Sequence, residues 1–152
     1  MRATRVFTVL AALTVTGVSC KDETTGIPAG LEVYTAVLNG TNEKPTAVTT
    51  AATGTAIVTV MGNLISWKVD VVNIDSIIAG HIHHGPVDST GPVRVNFSPA
   101  VTGQNFTGTA TQGSLVVTGD SVQTWLREGN GYVNIHTAVN GGGEIRGQLR
   151  KP

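Results

Sequence analysis

Over Gly54–Met61, Ala56, Val58 and Val60 alternate with Thr55, Ile57 and Thr59. Over Leu64–Val72, Ile65, Trp67, Val69 and Val71 alternate with Ser66, Lys68 and Asp70. Successive strand residues face opposite sides of a sheet, so this period of two predicts two strands, each with one apolar face. Gly62-Asn63 between them is a two-residue hairpin signal. The same texture predicts further strands at Leu31–Leu38, Ile77–His83, Val93–Phe97, Phe106–Thr111, Tyr132–His136 and Glu144–Leu149, separated by Gly, Pro and Asn. Short strands in close series predict an all-β fold, an antiparallel β-sandwich with Greek-key connections, rather than alternating strands and helices. One segment breaks the period. Val122, Trp125 and Leu126 lie three and four apart, which predicts a single short helix, capped by Thr118 or Asp120 and ended by Gly129.

Composition agrees with this reading and removes several functions. Gly, Thr and Val dominate the 152 residues, and only 13% are charged. Ten basic and ten acidic side chains cancel, which leaves no cationic surface for nucleic acid. A hydrophobic content of 40% favours collapse over disorder. The first residues form a different unit. Arg2 and Arg5 precede an apolar run from Val6 to Val18, and Lys21-Asp22-Glu23 then restores charge. That layout predicts a secretory signal over 1–19. Val18-Ser19-Cys20 resembles the processing box of bacterial lipoproteins, although Gly17 stands where leucine is usual. Cys20, the one cysteine, is then the lipidated first residue, and 20–30 tether the anchor to a domain over 31–150. The expected location is extracytoplasmic, held to the bacterial membrane. Lys21 does not resemble the aspartate that retains lipoproteins on the inner membrane, which in a Gram-negative host favours the outer one.

Candidate chemistry centres on the four histidines. His81, His83 and His84 lie in one strand and its end, His136 in another. With Ile82 facing the core, His81 and His83 face outward; with Val133 and Ile135 inside, Asn134 and His136 do too. Ile145 and Leu149 inside leave Glu144, Arg146 and Gln148 outside. If these strands are neighbours, His81, His83, His136 and Glu144 converge on one patch. Imidazoles two apart on a strand reach one ion, and a third completes the nitrogen set that copper or zinc accepts. Glu144 is a fourth candidate ligand, and Asp88 a candidate for orienting a ring. The competing reading has the histidines hydrogen-bonded to main-chain carbonyls, with Glu144 and Arg146 as a surface ion pair. His84 has the wrong parity for the cluster. No nucleophile elbow, phosphate loop or paired-acid site stands out, and after lipidation no free cysteine nucleophile remains.

Ala79-Gly80-His81-Ile82-His83-His84-Gly85-Pro86, Gly91-Pro92-Val93, Leu126-Arg127-Glu128-Gly129, Tyr132-Val133-Asn134-Ile135-His136-Thr137 and Gly142-Gly143-Glu144-Ile145-Arg146-Gly147-Gln148-Leu149 together resemble the CHRD domain, named for repeats in chordin. The resemblance spans Leu31–Leu149 and implies an extracellular β-sandwich, immunoglobulin-like or superoxide-dismutase-like. The His-x-His strand is also similar to the copper strand of copper/zinc superoxide dismutases, but four histidines are too few for two metals and no disulfide is available. Two functions are therefore expected. One is a non-enzymatic binding or structural module of the cell envelope, whose partner is a protein or other envelope ligand. The other is a copper or zinc protein using His81, His83 and His136, with redox activity of the dismutase kind.

Overall fold

A computed structural model describes residues 30–62, 64–97, 105–111 (backbone) and 122–152. The expected signal, Cys20, the tether up to residue 29 and both proposed helix caps lie outside the described residues. Among the described residues there are eight strands: β1 (Leu31–Asn39), β2 (Thr53–Met61), β3 (Leu64–Val72), β4 (Ile77–His84), β5 (Val93–Asn96), β6 (Asn105–Thr111), β7 (Gly131–Thr137) and β8 (Ile145–Gln148). One short helix, α1 (Val122–Arg127), precedes β7. Each boundary lies within about two residues of the sequence expectation, because period-two patterning and turn residues act locally.

All strand pairs are antiparallel. They form one curled sheet in the order β5-β4-β7-β8-β1-β2-β3-β6. The link between its halves is narrow: β8 meets β1 at Asn39–Arg146, and a bridge joins Thr35 to Arg150 with main-chain bonds of 2.8 and 2.9 Å. Curling lets the two halves face each other, so the two layers of the expected sandwich are parts of one continuous sheet. Trp67 of β3 stacks on Phe97, just past β5, with ring centroids 5.0 Å apart.

The concave face holds the core. Tyr34, Val58 and Trp67 form one cross-strand row, and Ala36, Ala56 and Val69 the next. Val58, Val60, Ile65 and Val69 are fully buried, and each such side chain contributes about 1.5–3 kcal/mol by leaving water. In α1, Val122, Trp125 and Leu126 are the buried residues, as their spacing predicts. Gly129 at φ +75° ends the helix, with its amide donating to the Leu126 carbonyl at 3.0 Å.

One strand departs from alternation. Every residue of β7 is buried, so its convex face is covered as well. The cover consists of three loops: β1–β2 with Glu43, β4–β5 with Pro86 and Gly91, and β7–β8 with Gly141 and Gly143. This corrects the sequence reading. Its parity holds, but His83 and His136 at 8% exposure, and Arg146 at 2%, do not face water.

Candidate metal centre

The roofed face of β4, β7 and β8 is a grid of cross-strand rows. His81 pairs with Asn134 and Asn134 with Arg146; His83 pairs with Tyr132 and Tyr132 with Gln148; His136 pairs with Ala79. His81 and His83 are therefore neighbours along β4, while His136 lies diagonal to His81 on β7. Antiparallel pairing of β4 with β7 thus joins histidines 55 positions apart.

The three rings meet. His81 and His136 have centroids 4.8 Å apart, His81 and His83 5.4 Å, and His83 and His136 6.0 Å. One nitrogen from each ring lies within 4.8 Å of the other two, and this is the one such group found among the described residues. His81 Nδ1 is 3.0 Å from His136 Nε2. His83 Nδ1 donates to the Gly91 carbonyl at 2.9 Å, and His136 Nδ1 to the Gly141 carbonyl at 3.1 Å. These carbonyls take the orienting role assigned to Asp88. They fix the proton on Nδ1 and leave the Nε2 lone pair of both rings for the cluster. The His83 Nε2 atom is buried without any hydrogen-bond partner.

The carbonyl contacts are tight. A Cβ on Gly91 would stand 1.8 Å from the His84 carbonyl oxygen, so only glycine brings its own carbonyl to His83. Burial, with the neighbouring imidazoles His136 and His83 adding to it, lowers His81 to about 4. Burial also lowers His83, despite the opposing bond to Gly91, and lowers His136. All three rings are neutral at pH 7. A neutral, lone-pair-bearing set is what a transition-metal ion requires, and an orphaned buried nitrogen is what a bound ion would satisfy. The residues fit copper or zinc.

The other candidates are placed elsewhere. The Glu144 carboxylate accepts from Thr50 Oγ1 at 2.6 Å, Thr137 Oγ1 at 2.7 Å and Asn140 Nδ2 at 2.8 Å. It stands outside the histidine group and pins the loop that carries Gly141. Burial opposes its charge, but the bonds from Asn140, Thr50 and Thr137 outweigh that and hold it below the usual carboxylate range. Arg146 is not its ion-pair partner; its Nη2 donates to the Pro86 carbonyl at 2.8 Å and to Gln148 Oε1 at 3.3 Å. His84 stacks on Trp125 at 5.2 Å and meets Arg94 at 3.2 Å, outside the cluster as its parity requires.

Sequence reasoning missed the groups behind the rings. Tyr132 stacks on His83 at 4.7 Å with planes 8° apart, and the Arg146 guanidinium lies 3.6 Å from the Tyr132 ring centre. Glu43, in a loop with no motif, accepts from Asn134 Nδ2 at 3.3 Å, and its Oε1 is buried unpartnered. Burial raises Glu43 to about 7 despite the bond from Asn134. The parity of Asn134 and Arg146 was the available signal; nothing local pointed to Glu43.

The fold and site together define an antiparallel β-module with a roofed tri-imidazole cluster on its convex face. The chain belongs to the CHRD-domain family, whose model matches residues 34–149. That span contains every residue of the cluster and of its roof. Comparison with curated proteins and with solved structures found no match.

Proposed function

We propose that this CHRD domain is a metal-binding module of the bacterial cell envelope, taking copper or zinc through His81, His83 and His136. The observation that carries the reading is the buried, partnerless His83 Nε2 beside two other neutral rings, one of them also held by a carbonyl. A purely structural histidine cluster would satisfy its ring nitrogens with main-chain groups. Here the main chain takes the Nδ1 side of two rings and leaves the Nε2 side facing inward. Gly91 and Gly141 orient the rings, and the ion supplies the positive charge that their lone pairs attract. No second ligand group accompanies the cluster among the described residues, which separates it from the two-metal arrangement of the superoxide dismutases. The reading is accordingly one of binding. The signal pattern at 1–19 and Cys20 supports a location outside the cytoplasm on a lipid anchor.

The test is the metal content of protein purified without chelator. About one copper or zinc per chain is expected, with loss in both His81→Ala and His136→Ala. Chains that fold but hold no ion at pH 7 would overturn the assignment. Mass spectrometry of the mature N-terminus reads the anchor separately. A diacylglyceryl group on Cys20 supports it, and an unmodified terminus further along the chain refutes it.

A further inference from the structure

Among the described residues, the roof over the three imidazoles leaves His81 the least covered. Gly91 of the β4–β5 loop reaches His83, Gly141 of the β7–β8 loop reaches His136, and Glu43 of the β1–β2 loop reaches Asn134. None of these bonds falls on His81, which alone of the three rings is half-buried rather than buried. Its cross-strand partner toward the sheet edge, Asn96 of β5, is exposed. Resting on the metal reading above, we infer that this is an exchange site. The ion enters and leaves past His81, which binds through Nδ1 and is the ligand that an incoming donor displaces.

The three rings are held unequally. His83 is fixed at its edge by the Gly91 carbonyl at 2.9 Å, and on its face by the Tyr132 ring, with centroids 4.7 Å apart. The Tyr132 hydroxyl in turn accepts from the Gly91 amide at 3.0 Å, so ring, stacking partner and loop brace one another. His136 is fixed by the Gly141 carbonyl at 3.1 Å. The side-chain contacts of His81 with described residues are with His83 and His136 themselves. Groups behind a metal ligand are worth about 10–100-fold in affinity, and His81 is the ring without one. Its bond to the ion is therefore the weakest of the three.

The ring nitrogens divide in the same way. The carbonyls take the Nδ1 side of His83 and His136, which leaves Nε2 of each ring for the ion. His81 is turned the other way: its Nδ1 lies 3.0 Å from His136 Nε2, and no described residue bonds its Nε2. A closed structural zinc site has four protein ligands, whereas three leave one position open. No further His, Cys, Asp or Glu joins the group among the described residues. An amine or carboxylate of a chelating acceptor can take that position on the uncovered side. The donor forms its bond to the ion, His81 Nδ1 then releases its own, and the oxidation state of the ion does not change. A module built this way passes its ion on rather than keeping it.

The experiment loads the full chain with zinc alone at pH 7 and reads ligation and release separately. Proton–nitrogen correlation spectra of the rings should place the proton on Nε2 of His81 and on Nδ1 of His83 and His136. Release into EDTA should speed up in proportion to EDTA concentration, because attack on the bound ion is the slow step. Asn96→Phe, which sets a ring beside His81 from an exposed position, should slow uptake and release several-fold alike and leave zinc affinity unchanged. A release rate independent of EDTA, an undiminished rate in Asn96→Phe, or Nε2 ligation by His81 would each overturn the inference while zinc binding stands. A chain that takes up no zinc overturns the metal reading, and the exchange site with it.

Discussion

Glu43, buried, and His81, half-buried, sit at the same roofed face with opposite consequences for stability. His81 lies at about 4, below its ordinary 6.5, so its contribution is complete above pH 6.5 and is lost as pH falls toward 4. Glu43 lies at about 7, above its ordinary 4.5, so its contribution is complete below pH 4.5 and is lost as pH rises toward 7. Between pH 4.5 and 6.5 the two slopes oppose each other. Glu43→Gln removes one of them, so the metal-free variant should lose stability more steeply than the parent as pH falls through that window. Its stability at pH 8 should equal or exceed the parent's, since no charge then has to be buried. Urea unfolding at stepped pH measures both, and an unchanged acid slope would show that Glu43 does not titrate against the histidines.

The β7–β8 loop is an element that the chain holds for the sake of one ring. Glu144 ties Thr50, Thr137 and Asn140 together, and the loop so fixed presents the Gly141 carbonyl to His136. Glu144→Ala should therefore weaken metal affinity by about 10-fold, the range seen when groups behind a ligand are removed, while far-ultraviolet circular dichroism stays that of the parent. Metal titration of the folded variant reads this, and an unchanged affinity would return Glu144 to a loop fastener alone. Elements were the most legible level in the sequence. Alternation marked β2 and β3, the three- and four-residue spacing marked α1, and the parity of β4, β7 and β8 put the polar residues on one face. What the pattern did not contain was the roof. A loop has no period, so nothing in Glu43, Pro86 or Gly141 announced that each would fold over that face. The outward residues were therefore expected in water, although four of them, His83, Asn134, His136 and Arg146, are buried.

At the scale of the molecule, closure of one sheet upon itself joins the parts. Trp67 and Phe97 meet across the core from opposite halves, and among the described residues these halves are joined within the sheet by the short β8–β1 contact. Trp67→Ala should cost about 3–5 kcal/mol, with both halves unfolding together in one transition. Separate transitions for tryptophan fluorescence and for the histidine ring signals would contradict a single cooperative unit.

The strands, their apolar faces, the helix and the family were all decided by the chain, because each rests on residues within a few positions of one another. The pairing of β4 with β7 was not, since which strands become neighbours depends on the folding of the entire sheet. Burial was not either. The same histidine is an exposed polar residue or a neutral, dehydrated ring according to whether a distant loop excludes water from it. The partnerless nitrogen of His83 exists only in the folded molecule, and the proposed metal site follows from it.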